Sequence, residues 1–218
     1  MRDRIFQIVE NEFSSLIEKI QSDFITNFKA KQHNFLLKEL DPLMSAHMVF
    51  VSSFESKSGN SIQKVAKEVA KLRYGAENVP QIVNPHQLEH NVQNPNEHEQ
   101  IIVSNVDMNN PELQGKIAEF MTRCEGDSRK KVCCSVNHES ILELLDGELP
   151  ISNEIHTKPV DLAFWDGDEL NIMEIKAGGN LDSSNAPSNA KKLLTIYTGL
   201  NYRKTKPYFA TIYHKDGE

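Results

Sequence analysis

Two carboxylates and one lysine near the C-terminal end of the chain have types and spacing that suit metal-dependent chemistry. Asp161 lies in the β-prone run 160–165, and Glu174 and Lys176 lie in the next such run, 170–176. The Asp-Gly-Asp-Glu segment between the runs is typical of a β-hairpin turn. A turn centred on its Gly-Asp pair predicts that Asp161 lies opposite Glu174, on the same face as Lys176.

This hairpin face predicts a site for a divalent cation. Directly opposed side chains in an antiparallel pair have Cβ atoms about 5 Å apart, and two carboxylates at that distance repel unless a cation lies between them. Mg²⁺ prefers carboxylate oxygens, water and phosphate, and Mn²⁺ is expected to substitute. We predict Asp161, Glu174 and the carbonyl of Ile175 as ligands. Lys176 would orient a water or offset negative charge on a phosphate.

An ordinary cross-strand salt-bridge cluster is the alternative interpretation of the same three side chains. Exposed pairs of this kind are common and contribute about 0–1 kcal/mol each. Asp161 and Glu174 lie within otherwise apolar strands, however, which predicts that their face is partly buried. Because a buried acidic pair is costly without a metal or a function, the pattern favours the metal site.

The motif Pro159-Val160-Asp161 followed by Glu174-Ile175-Lys176 resembles that of the PD-(D/E)XK nuclease superfamily. It departs from a strict Pro-Asp pair because Val160 intervenes. The Lys-Ala-Gly-Gly-Asn-Leu-Asp segment after the motif and the Ser-Phe-Glu-Ser-Lys-Ser-Gly-Asn segment before it are similar to type II restriction endonucleases, and among these to the TdeIII-like enzymes. The resemblance implies an α/β fold with a restriction-endonuclease-like αβββαβ core and a mixed sheet.

The resemblance also implies a function. The expected activity is Mg²⁺-dependent hydrolysis of double-stranded DNA at a short specific site, with Asp161, Glu174 and Lys176 as catalytic residues. A palindromic target would be read by a homodimer. Two alternatives remain open: a DNA repair or resolvase-type nuclease of the same fold, and a non-enzymatic interaction protein whose acidic cluster is structural.

The periodicity of apolar residues predicts the elements that position these side chains. We predict a helical extension over residues 1–50, with a possible role in dimerisation, and a nuclease core over 51–218. An apolar stripe along the first helix fits packing on its own chain or on a partner subunit. The predicted elements are helices at 1–40, 52–73, 111–120, 140–145 and 187–200, and strands at 101–103 and 206–213 besides the hairpin.

The second predicted helix carries a line of polar and small residues beside its apolar stripe. Glu55, Gly59 and Gln63 fall four residues apart on this line. They form either a solvated face with a tolerated glycine or a close approach of the helix to a sheet. In the second interpretation, Gly59 permits the approach and Glu55 or Gln63 supports the site.

Charge and composition restrict the partners. The net charge of −7 argues against non-specific coating of nucleic acid, although a local basic cleft can still bind DNA. No apolar run reaches the length of about 20 residues that a membrane-spanning helix needs. Three cysteines do not form a disulfide framework, so a reduced, cytoplasmic protein without a membrane partner is expected. The candidate DNA-binding residues are Lys191, Lys192, Arg203, Lys204, Asn180, Arg129 and Lys130.

Overall fold

The computed structural model of the chain describes residues 1–31, 33–93, 99–129, 138–176 and 185–211. These residues form a mixed α/β structure that divides into two compact units, Met1–Val69 and Ala70–Glu218. The helices are α1 (Arg2–Lys31), α2 (Phe35–Glu39), α3 (Pro42–Tyr74), α4 (Pro111–Arg129), α5 (His138–Leu142) and α6 (Asn185–Leu200). The strands are β1 (Ile82–Val83), β2 (Gln100–Val106), β3 (Ile151–Val160), β4 (Leu162–Asp166), β5 (Glu169–Lys176) and β6 (Thr205–Thr211).

The N-terminal unit is built from α1, α2 and most of α3. Lys57 of α3 pairs with Asp23 of α1 at 2.9 Å, and Lys64 pairs with Glu12 at 3.5 Å, so the two long helices run antiparallel. Of the predicted apolar stripe, Leu16 and Ile20 are buried within this unit. Phe6 and Ile25 are exposed, and so is an apolar group on α3 formed by Leu43, Met44, Met48 and Val51. Among the helices of the described residues, none combines the length and the apolar character needed to cross a membrane.

The boundaries of the first two predicted helices are wrong. The predicted helix 1–40 ends at Lys31 and is followed by the separate short helix α2. The predicted helix 52–73 begins ten residues earlier, at Pro42. Asp41 explains that start, because its Oδ1 accepts a hydrogen bond of 2.8 Å from the Leu43 N–H, as an N-cap residue does, while Pro42 suits the first helical position.

Gly59 in α3 has room for a side chain. A Cβ built on it meets no heavy atom within 4 Å among the described residues, so the fold of its own unit does not require glycine there. Gly59→Ala is therefore expected to stabilise the helix by about 0.5–1 kcal/mol, because glycine is a poor helix former. Thermal unfolding followed by far-ultraviolet circular dichroism checks this. Gly199→Ala is the opposing control, since its Cβ would overlap Sδ of Met108. A loss of stability in Gly59→Ala would contradict the prediction.

The first sheet has the order β1-β2-β3 and lies in the C-terminal unit. β1 pairs parallel to β2, and β3 pairs antiparallel to β2 with Gln100 opposite Val160. The predicted strand 101–103 thus lies within the longer strand β2, and β1 falls in a stretch where no element was predicted. Of β3, only its last residue, Val160, lay in a predicted strand.

The second sheet, β4-β5-β6, contains the predicted hairpin. Leu162 lies opposite Met173, which is the predicted register, and Gly167 takes a φ of +62° in the two-residue turn, as a type II′ turn requires of its first central residue. The first strand of the hairpin is shorter than predicted, because Val160 ends β3 and Asp161 forms a bend before β4. β6 adds parallel to β5.

The core of the C-terminal unit forms where α6 packs on β2, β5 and β6, with α4 against α6. It includes the buried side chains of Ile102, Ile117, Ile172, Ile196 and Tyr197. α4 continues to Arg129, nine residues past its predicted end, and the predicted helix 140–145 is α5 followed by a 3₁₀ turn at Glu143–Leu145. The predicted mixed sheet is present as two three-stranded mixed sheets.

Candidate functional site

Asp161 lies at the bend where the chain leaves the first sheet and enters the second. It is the single residue between β3 and β4. Its side chain is 10% exposed, and its Oδ2 accepts a hydrogen bond of 2.8 Å from the backbone N–H of Ile175. The bend thus leaves the end of β5 without a ladder partner from β4, and the Asp161 carboxylate satisfies the Ile175 N–H instead.

Glu174 and Lys176 lie on one face of β5, as their spacing predicts. Glu174 is 1% exposed, and Nζ of Lys176 lies 2.7 Å from its Oε1. Lys176 itself is about one-third exposed, at 32%, so its ammonium group reaches both the buried carboxylate and the surface. The structure therefore brings Asp161, Glu174 and Lys176 together at the end of the hairpin away from its turn.

Lys192 is the fourth member of this group, and the sequence pattern indicated only a DNA-binding role for it. Its Nζ lies 2.6 Å from Oε2 of Glu174 and 3.3 Å from Oδ1 of Asp161. The ammonium of Lys192 therefore bridges the two carboxylates. We call these four side chains, Asp161, Glu174, Lys176 and Lys192, the carboxylate–lysine cluster.

The charges of the carboxylate–lysine cluster balance, with two carboxylates against two ammonium groups. Burial alone would lower the pKa of Lys192, but the carboxylates of Glu174 and Asp161 outweigh that effect and hold this pKa above its usual value of 10.5. Both buried oxygens of Glu174 contact ammonium groups, Oε1 that of Lys176 and Oε2 that of Lys192, in close ion pairs.

The oxygen ligands predicted for a metal are found on two neighbouring segments. Asp161 and Glu174 supply the carboxylates, and the carbonyl of Ile175 lies on the edge of β5 that faces Asp161, because the N–H and C=O of one strand residue point to the same edge. Within the described ranges no group of three or more histidine, cysteine, aspartate or glutamate side chains is placed to hold a metal. A cation here would therefore need backbone, water or substrate oxygens besides the two carboxylates.

Comparison with known proteins assigns no family to this geometry. No family model, no curated protein and no solved structure matches the chain. The chemistry of the carboxylate–lysine cluster follows from its own charges and contacts.

The two residues predicted to support the site, Glu55 and Gln63, both belong to the N-terminal unit. Glu55 is exposed on α3, and Gln63 is half-buried there. The carboxylate–lysine cluster is built entirely from residues of the C-terminal unit.

The predicted DNA-binding residues differ in their surroundings. Lys191 is exposed on α6, next to Lys192. Arg203 pairs with Asp146 at 3.1 Å, and Lys204 forms an ion pair with Asp168 of the hairpin turn. That hydrogen-bonded pair raises the pKa of Lys204 above its usual value. The side chain of Arg129, and the whole of Lys130 and Asn180, lie outside the described residues.

Proposed function

We propose that the chain is a Mg²⁺-dependent endonuclease that hydrolyses phosphodiester bonds of double-stranded DNA at a specific site, as a type II restriction enzyme does. The observation that carries the proposal is the burial of two carboxylates beside Lys176. Glu174 is 1% exposed and Asp161 is 10% exposed. Removing such groups from water costs several kcal/mol per ion, about as much as good pairing returns, which favours a functional reason for keeping them.

The donor set fits a hard divalent cation. Asp161, Glu174 and the carbonyl of Ile175 would hold Mg²⁺ through oxygen, the ligand atom it prefers, and substrate phosphate and water would complete the shell. When bound, Mg²⁺ would polarise the phosphate and lower the pKa of a coordinated water. Each buried oxygen of Glu174 pairs with a lysine ammonium, Oε1 with Lys176 and Oε2 with Lys192, so a metal would bind Glu174 in exchange for at least one of these ion pairs.

The chain's own residues would then position the substrate and balance charge. The hydrogen bond from the Ile175 N–H to Oδ2 fixes the orientation of the Asp161 carboxylate, and with it the direction of its remaining lone pairs. Lys176 would place its ammonium group against the negative charge that develops on the phosphate. Lys176 pairs with the Glu174 carboxylate, so we assign it an electrostatic role rather than that of the general base.

Exposed basic residues of the C-terminal unit would bind the DNA backbone. Lys191 lies beside the cluster, whereas Lys204 lies at the hairpin turn, at the opposite end of β5. Arg203 and Lys204 are 62% and 59% exposed in their ion pairs. Pairs this exposed contribute little to stability, so a phosphate can replace the aspartate at small cost. Lys191 would add a further charge on the exposed side of α6.

A homodimer would read a palindromic target with two copies of the same site. The exposed apolar side chains of α1 and α3 in the N-terminal unit are the surface we propose for its interface.

A structural, non-enzymatic role is the second candidate, and the position of Lys192 favours it. The ammonium of Lys192 already neutralises the carboxylates that a metal would otherwise have to neutralise. In that case the cluster would be a buried salt-bridge network that fixes α6 on the second sheet, and the protein would act by binding a partner.

Cleavage of supercoiled plasmid separates these functions. The wild-type protein is expected to cut in Mg²⁺ and not in EDTA, and Asp161→Asn is expected to reduce cutting at least about 100-fold, because it removes one ligand charge and keeps the shape. Asp166→Asn, an exposed aspartate at the other end of β4, is the matched control and should cut normally.

The products distinguish the nuclease classes. Discrete fragments indicate a restriction enzyme, whereas a smear, or a preference for branched DNA, indicates the repair or resolvase type. Equal cutting by Asp161→Asn and the wild type would show that the site is assigned wrongly. An uncut plasmid, together with no saturable Mn²⁺ binding in calorimetry, would favour the structural role.

A further inference from the structure

Lys192 occupies the position between the two carboxylates that a bridging cation needs. Its Nζ contacts both Glu174 and Asp161, at 2.6 and 3.3 Å, whereas Lys176 contacts Glu174 from the other oxygen. Two carboxylates that contact the same ammonium group lie close enough to hold one cation between them. An ammonium group and a divalent ion in the same place would repel each other strongly, because both are partly removed from water.

α6 holds the backbone of Lys192 in place, while the side chain of Lys192 can still reach solvent. The residues that follow it, from Leu193 to Leu200, are all buried, and α6 packs on both sheets and on α4, so the helix itself is fixed. The Lys192 side chain is 36% exposed. Its flexible four-carbon stem allows the ammonium group to move towards water without any movement of α6.

We propose that Lys192 is an internal counter-ion that competes with the divalent cation for Asp161 and Glu174, so that the metal binds only when the ammonium group leaves. This inference rests on the proposed metal-dependent function and adds a control of metal affinity within the same site. Lys192 holds the two carboxylates together without a metal and lowers the affinity for the metal. Once displaced, its charge is released on the exposed side of α6, beside Lys191.

The opposite role for Lys192 makes the opposite prediction. If the lysine were needed to hold the two carboxylates in a binding geometry, its removal would let them separate and would weaken metal binding. If it acted only on DNA, its removal would leave metal binding unchanged. The sign of the change in metal affinity therefore identifies the role.

Titration of the DNA-free protein with Mn²⁺ by calorimetry tests the proposal. Lys192→Met removes the charge and keeps most of the stem, and we expect Mn²⁺ to bind roughly five- to tenfold more tightly than to the wild type. Lys206→Met is the matched control, since Lys206 is also about one-third exposed and also pairs with a carboxylate, that of Glu169 on the same sheet. Its Mn²⁺ affinity should equal that of the wild type.

A second variant and a second readout guard against a folding defect. Lys192→Gln keeps a hydrogen-bond donor for the carboxylates and should also tighten binding, and the fluorescence of Trp165, the single tryptophan, reports whether the C-terminal unit is folded. Mn²⁺ should raise the melting temperature of both variants more than that of the wild type.

Each result has one meaning. Unchanged or weaker Mn²⁺ binding in folded Lys192→Met and Lys192→Gln overturns the counter-ion role even if the wild type cuts DNA. Tighter binding without any DNA cleavage supports the counter-ion role and contradicts the proposed nuclease. Absence of Mn²⁺ binding in the wild type and in both variants overturns both.

Discussion

Glu174→Gln is expected to reduce plasmid cleavage at least about 100-fold and to abolish Mn²⁺ binding in calorimetry. Glutamine has the shape of glutamate but no charge, so it removes the ligand that is almost fully buried and leaves the backbone of β5 in place. It also deprives Lys176 and Lys192 of their closest negative charge. Both ammonium groups would then repel a divalent cation with only the Asp161 carboxylate to balance them.

Glu169→Gln is the matched control for this substitution. Glu169 lies on the same strand and also pairs with a lysine, but its side chain is 41% exposed and lies beside the hairpin turn. Its replacement should leave cleavage and Mn²⁺ binding close to those of the wild type. Glu174→Gln cutting as fast as Glu169→Gln would contradict the placement of the active site in the carboxylate–lysine cluster.

The same substitution should also lower the free energy of unfolding of the C-terminal unit. Loss of one partner of a buried charge pair is costly, but both lysines are about one-third exposed, so we expect a cost of about 1–3 kcal/mol. Urea unfolding followed by Trp165 fluorescence measures it. In the double variant with Lys192→Met, the cost should be smaller than the sum of the two single costs. Lys192→Met removes the ammonium group that Glu174→Gln leaves without its closest carboxylate.

The hairpin could be predicted from the sequence because its signals are local. The Gly167 turn, the alternation of residues and the spacing of two apolar runs all lie within 160–176, and together they determine the observed register of Leu162 with Met173. The same register places Asp161 near Glu174. The proximity of these two carboxylates could therefore be predicted without knowledge of the rest of the fold.

β3 could not be predicted because its residues carry no strand signal of their own. Ile151–Val160 is mostly exposed or half-buried and lacks a regular apolar alternation. It forms a strand because β2, whose residues are largely buried, offers an unpaired edge. β propensity depends strongly on such neighbours. This missed strand also explains why Val160 was placed in the hairpin and Asp161 was not expected at a bend.

The position of Lys192 depends on tertiary packing. The helical period of α6 predicts which residues are buried, but it does not say that the turn carrying Lys192 lies over Glu174. That placement requires α6 to pack on β2, β5 and β6 together. Likewise, the pairing of Arg203 with Asp146 joins residues far apart in the chain, so a run of basic residues could not reveal it.

Gln100→Leu is expected to destabilise the C-terminal unit by about 2–4 kcal/mol, the largest effect on folding that we predict. The Gln100 side chain is 1% exposed. Its Nε2 donates to the carbonyl oxygens of Pro80 and Ala163, at 2.6 and 2.8 Å, and its Oε1 accepts from the Ala163 N–H at 3.0 Å. Leucine would leave these backbone groups buried without partners.

This amide also connects the two sheets next to the candidate site. Gln100 begins β2, opposite Val160, and its side chain bonds both backbone groups of Ala163 in β4. It therefore ties together the two strands on either side of the Asp161 bend. We expect Gln100→Leu to loosen that bend and to weaken Mn²⁺ binding even under conditions where the protein remains folded.

Urea unfolding followed by Trp165 fluorescence measures the change in stability, with Gln114→Leu as the matched control. Gln114 is half-buried, and its Nε2 donates to the Met108 carbonyl oxygen at 2.7 Å, so its replacement should cost only about 1 kcal/mol. An equal cost for the two substitutions would show that the Gln100 amide does not hold the sheets together. The position of Asp161 would then depend on its own bond to Ile175 and on Lys192, and Mn²⁺ affinity should be unchanged in Gln100→Leu.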